Sequence, residues 1–141
     1  MTGLVVCLLV LAGAAAFGAW WRRRDGEVRD VPAAEGSALF AADLGAPLGP
    51  RATLVQFSSA FCQPCRATRR VLGEVAGMVD GVAHVEIDAE SRLDLVRRLD
   101  VLRTPTILVL DAEGRVVRRA SGAPRKADVI AALGQAIPEG V

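Results

Sequence analysis

The stretch Phe61-Cys62-Gln63-Pro64-Cys65-Arg66 constrains this chain more than any other, because two cysteines two residues apart follow an apolar run and precede a helical one. Thr53 to Phe57 reads as a buried strand, and Ala67 to Met78 carries apolar residues at helical spacing. The pair is therefore placed at a strand-to-helix junction. There the first cysteine lies at a helix N-terminus, where unbonded amide hydrogens and the helix dipole favour thiolate over thiol. The thiolate is the form that attacks a disulfide. Pro64 suits the same geometry, since the first helical turn tolerates a residue without an amide hydrogen.

The 141 residues leave room for one modest domain. A formal net charge of +1 gives no reason to expect nucleic acid or a strongly acidic partner. Of the three cysteines, Cys7 lies inside an apolar segment, which leaves one close pair and no wider disulfide framework. Disulfide-stapled domains replace a missing core with many bridges, whereas this chain has ample Val, Leu and Ala to build one. The pair reads as chemical. A single Cys-x-x-Cys supplies two of the four ligands a structural metal needs, and His84 is the one histidine, so neither a metal nor another cofactor is expected.

Gly3 to Trp21 is an uncharged, apolar run nearly long enough to cross the roughly 30 Å hydrocarbon core as a helix. It ends in Trp20-Trp21-Arg22-Arg23-Arg24, with rings suited to the headgroup level and charges beyond it. A cleaved signal peptide carries its positive charges before the apolar run, and here they follow it, which favours an uncleaved single-pass anchor. Flanking arginines tend to stay cytoplasmic, so the domain is expected on the cytoplasmic side, the extracytoplasmic face being the alternative.

Asp25 to Glu35 reads as a tether, Ser37 to Leu44 as a short helix or an initial edge strand, and Gly45 to Arg51 as a loop. Val82 to Asp88 alternates as a second strand, and Ser91 to Leu99 reads as a second helix. Ile107 to Leu110 is a third strand, joined through Asp111-Ala112-Glu113-Gly114 to an antiparallel fourth, Arg115 to Ala120. Gly122 ends it, and Pro124 to Ile137 is a terminal helix. The organisation expected is an anchor with basic flank over 1–24, a linker and lead-in over 25–51 and an α/β domain over 52–141, its mixed sheet flanked by helices on both faces.

This order, with Cys-x-x-Cys at the first helix of the domain and Thr104-Pro105 leading into the third strand, resembles the thioredoxin superfamily over about Ala52 to Ile137. The resemblance implies a thioredoxin-like fold and a redox-active disulfide, with Cys62 as nucleophile, Cys65 as resolver and Pro105 as a cis-proline facing them. It further implies that Thr104 lends its backbone to a bound substrate strand, and that Phe61 stands as an aromatic shield where relatives often carry tryptophan. Gln56 occupies the place of a buried aspartate that handles the resolving thiol's proton in many thioredoxins, and glutamine is no base at neutral pH. His84 and Glu86, on one face of the next strand, are the candidates to take over that proton handling. Arg66, Arg69 and Arg70 read as a solvated helix face, or as groups that stabilise the thiolate or dock an acidic partner.

The activity expected is that of a membrane-tethered thiol-disulfide oxidoreductase that contributes to cell redox homeostasis. Its partners would be a protein disulfide or dithiol substrate and an electron donor, such as a reductase or another thiol protein. The alternative is a noncatalytic thioredoxin-like adaptor that holds a partner in the groove beside Pro105, motivated by Gln56.

Overall fold

A computed structural model of the chain describes residues 1–31 and 37–139. Its elements are α1 (Thr2–Arg24), β1 (Val28–Asp30), α2 (Ala41–Leu44), β2 (Ala52–Ser58), α3 (Gln63–Met78), β3 (Val82–Asp88), α4 (Leu93–Arg98), β4 (Thr106–Asp111), β5 (Val116–Ser121) and α5 (Lys126–Ala136). One five-stranded sheet runs β1-β5-β4-β2-β3. β2 and β3 are parallel, joined by the α3 crossover, while the β2–β4, β4–β5 and β5–β1 pairs are antiparallel.

All seven residues of β2 are buried, and alternation divides them between two cores. Val55 and Phe57 face Leu39, Leu44, Leu95 and Leu99, beneath α2 and α4. Ala52 and Leu54 face Leu72, Val75, Val129 and Leu133, beneath α3 and α5. On α3 the buried positions Cys65, Thr68, Leu72 and Val75 recur at helical spacing, so this amphipathic stripe fixes the rotation of the helix and turns Cys65 inward.

The β4–β5 hairpin is organised by the buried Asp111. Its carboxylate accepts the amides of Glu113 and Arg115 at 3.0 and 2.9 Å and the Arg115 guanidinium at 2.9 Å. Gly114 has φ 83°, and a side chain there would strike the Leu39 carbonyl.

One expectation needs correction. Asp25 to Glu35 is not simply a tether: residues 28–30 form β1 at the edge of the sheet, with Val28 opposite Ala120 and Asp30 opposite Arg118. Residues 32–36 lie outside the described residues. The segment read as a short helix or an edge strand is both in part, since Ala38 bridges to Arg115 before the helix at Ala41. The helix that carries the cysteines starts at Gln63, with Cys62 as its N-cap and Pro64 in its first turn, where the sequence places them.

α1 is 23 residues long, about 35 Å at 1.5 Å per residue, and none of its residues is buried. By length and composition it is a candidate membrane span. Phe17 packs on Trp20 and Trp21 with centroids 5.9 Å apart, and the Arg24 guanidinium lies 4.3 Å from the Trp20 ring.

Leu54 is fully buried and Leu102 is 89% exposed. Leu54→Ala should therefore cost roughly 2–5 kcal/mol in urea unfolding, and Leu102→Ala less than about 0.5 kcal/mol.

Candidate functional site

Cys62 is the N-cap of α3, in extended conformation at φ −90°, and Gln63 and Pro64 open the helix. Proline is accommodated because the first turn leaves its amide hydrogens without helical partners. Cys65, one turn further, is 2% exposed, whereas Cys62 is half-buried. The two are joined in a disulfide, S–S 1.98 Å and Cα–Cα 5.3 Å. Phe61 projects into solvent with 97% of its surface exposed, and Leu102 is the other large apolar side chain so exposed in the loop before Thr104.

The Thr104–Pro105 peptide is cis. One hydrogen bond ties this loop to the cysteine loop, the Thr104 and Ser59 hydroxyls lying 3.0 Å apart, and within the cysteine loop the Ser59 carbonyl accepts the Cys62 amide at 3.4 Å. Pro105 itself is buried, and its carbonyl accepts the Gly122 amide at 2.7 Å. Ser59 escaped the sequence reading; its signal is the Ser58-Ser59 pair at the C-terminal end of a buried strand, where ligand sites of α/β sheets form.

Behind Cys65 lies a polar network. Gln56 is fully buried, and its amide group donates to the Cys65 carbonyl at 2.9 Å and to the Ser58 hydroxyl at 3.0 Å. Both amide protons are thereby used, so the Gln56 carbonyl oxygen faces His84 Nε2 at 3.2 Å and that nitrogen carries the hydrogen. Burial holds the His84 pKa below its ordinary value; Glu86 opposes that shift and Arg69 adds to it. Glu86 is engaged elsewhere: Arg69 donates to its two oxygens at 2.6 and 2.8 Å, and the Ser58 hydroxyl lies 3.4 Å away. Of the three arginines on this helix, Arg69 is thus an ion-pair partner, while Arg66 and Arg70 are exposed.

The structure therefore brings Cys62, Cys65, Thr104 and Pro105 to one end of the sheet through hydrogen-bonded loops. It gathers Gln56 and His84 behind Cys65 and places Glu86 at the rim of that network. Among the described residues no group of three or more His, Cys, Asp and Glu side chains is arranged to hold a metal.

A closed cysteine pair at a helix start, opposite a cis-proline loop on a mixed sheet, defines a thiol-disulfide exchange site. Residues 38–135 match the thioredoxin family model. The chain is 30% identical over 102 residues to a thioredoxin of Mycobacterium tuberculosis strain H37Rv, covering 72% of this chain and 85% of the relative. A thioredoxin of Mycolicibacterium smegmatis is 32% identical over 87 residues, covering 60% and 77%. Among solved structures, a mutant thioredoxin from Halobacterium salinarum NRC-1 superposes with a TM-score of 0.57 at 18% identity, covering 62% of this chain and 76% of that one. Mitochondrial thioredoxin 3 from Saccharomyces cerevisiae, in its oxidised form, gives 0.54 at 18% identity, covering 60% and 78%. These two likenesses bear on the fold alone. The chain belongs to the thioredoxin family and is a thiol-disulfide oxidoreductase.

The His84 environment has a consequence for stability. Because the folded state disfavours the histidinium, the unfolded chain binds more protons near histidine's ordinary pKa of about 6.5. Stability is then full above that value and falls as pH drops towards the lower, folded pKa. Urea midpoints of the wild type should decline between about pH 7 and pH 5 more steeply than those of His84→Gln, which keeps a donor for Gln56 but does not titrate. Parallel curves would show that His84 titrates equally in both states.

Proposed function

We propose that this chain is a membrane-tethered oxidoreductase that exchanges disulfides with protein substrates through Cys62 and Cys65. The observation that carries the reading is the asymmetry of the pair, one sulfur at a half-buried helix N-cap and the other buried a turn deeper. In the reduced protein the Cys62 thiolate attacks a substrate disulfide, forms a mixed disulfide and displaces one substrate thiolate, which takes up a proton. Cys65, as thiolate, then attacks the Cys62 sulfur; the second substrate thiol leaves and the Cys62–Cys65 bond closes. The substrate gains two electrons and two protons, and an external reductase or thiol protein restores the dithiol. Phe61, Thr104 and Pro105 form the substrate-facing wall, with Thr104 offering its backbone to an extended substrate segment.

Gln56 in this reading is a positioning residue that holds the start of α3 through the Cys65 carbonyl. It exchanges no proton at neutral pH. His84 is the titratable group in contact with it, and Glu86 is held by Arg69, which makes His84 the better candidate for proton handling. The second reading, a noncatalytic adaptor, draws on the same glutamine.

Cys65→Ser should accumulate a mixed disulfide through Cys62, visible on non-reducing gels and by mass, while Cys62→Ser should lose disulfide reduction by at least about a hundredfold. Full activity in Cys62→Ser would end the redox reading, and partner binding that survives loss of both thiols would favour the adaptor. In the same assay, pH profiles of wild type and His84→Gln that superimpose would remove His84 from proton handling.

The anchor in this proposal is α1, and the domain lies on the cytoplasmic side because Arg22, Arg23 and Arg24 follow the span. C-terminal fusions should give a fluorescent protein that matures and an alkaline phosphatase that stays inactive; the reverse pair of results would place the domain outside.

A further inference from the structure

We infer that the redox site is held at the membrane surface, and that its substrates are membrane proteins carrying a cysteine pair close to the bilayer. This inference rests on the reading of α1 as an anchor and of Cys62–Cys65 as the redox pair. A thioredoxin-like domain on a flexible leash would sample a wide volume. Here only Asp25, Gly26 and Glu27 separate α1 from β1, and three residues span at most about 10 Å.

Those residues are also fastened, and to the active-site end of the sheet. The Asp25 carboxylate pairs with the guanidinium of Arg103, the residue before Thr104. Gly26 donates its amide to the Ser121 carbonyl at 3.0 Å. Gly122, whose amide binds the Pro105 carbonyl, has φ 100°, and a side chain there would run into the Asp25 carboxyl and the Arg103 guanidinium. Gly26, at φ 73°, lies against the Ala123 carbonyl so closely that no side chain fits. Arg103 shares a crevice of about 210 Å³ with Trp20, Trp21, Arg24 and Asp25.

The interfacial end of the anchor therefore touches the loop that presents the cis-proline. From Arg103 the connection to the cysteines is short: Thr104 to the Ser59 hydroxyl, and the Ser59 carbonyl to the Cys62 amide. With tryptophans at headgroup level, the disulfide is held close above them, and its partner must bring a disulfide into that layer. A membrane protein does so at high effective concentration, while a protein free in solution must approach the surface.

The test uses the full chain, reduced beforehand and freed of reductant, in phosphatidylcholine–phosphatidylglycerol vesicles. Single-turnover transfer is followed to two transmembrane peptides: one has a disulfide about four residues beyond its span, and the other has the same disulfide beyond an (EAAAK)n spacer of about 40 residues, roughly 60 Å where helical. The near peptide should be reduced at least about tenfold faster. A Gly-Ser insertion of about 40 residues between Arg24 and Asp25 should bring that ratio below about three, with the rate on soluble insulin unchanged. Equal rates on the two peptides with the wild-type chain, or a tenfold preference that survives the insertion, would overturn the inference while leaving the redox and anchor readings intact. Loss of flotation with the vesicles would instead sink the anchor reading and the inference with it, and failure to reduce insulin would sink the redox reading and the inference together.

Discussion

β2 is paired on both edges and covered on both faces, so each polar group it carries must be satisfied inside the protein. Gln56, in the middle of that strand, meets the constraint by committing its side-chain amide to Ser58, Cys65 and His84. The start of α3 is thereby bound to the central strand by a side chain as well as by the apolar stripe through Leu72 and Val75. An ionised carboxylate at this place would have to be desolvated, whereas the neutral amide avoids that cost and offers two donors in place of none. Rigidity behind Cys65 is obtained without a titratable group on the strand.

A similar division of roles is visible across the sheet. His84 and Glu86 sit on the face of β3 beside α3, opposite Leu54 and Gln56 in register, yet they are used differently. His84 is half-buried and turned towards the Gln56 carbonyl oxygen; Glu86 reaches outward to Arg69 and ties the exposed flank of α3 to the sheet. Alternation alone places both on one face but does not say which of them turns inward.

Much of this was legible in residue order. The alternation of Val82 to Asp88, the buried run from Thr53, and the hairpin connection Asp111 to Gly114 are local signals whose physical causes act within a few residues. β1 was not legible, because Val28-Arg29-Asp30 has two charged residues in three and becomes a strand only by pairing with β5, far along the chain. The Asp25–Arg103 pair was hidden for the same reason: contacts across such separations leave no periodicity. At the site, the cysteines and Thr104-Pro105 could be read as a pattern, while Ser59 is marked only by its place after a buried strand, a weaker signal than a spacing.

β1 also changes what the sheet shows to its surroundings. It covers one flank of β5 with only three residues, which leaves β3, seven residues long and paired only to β2, as the longer of the sheet's two open borders. An unpaired border is a template for another strand. The exposed positions of β3 are Glu86, whose carboxylate is paired with Arg69, and Asp88. Charged side chains on an edge strand blunt its pairing with another strand, so this border carries its own protection against edge-to-edge polymerisation.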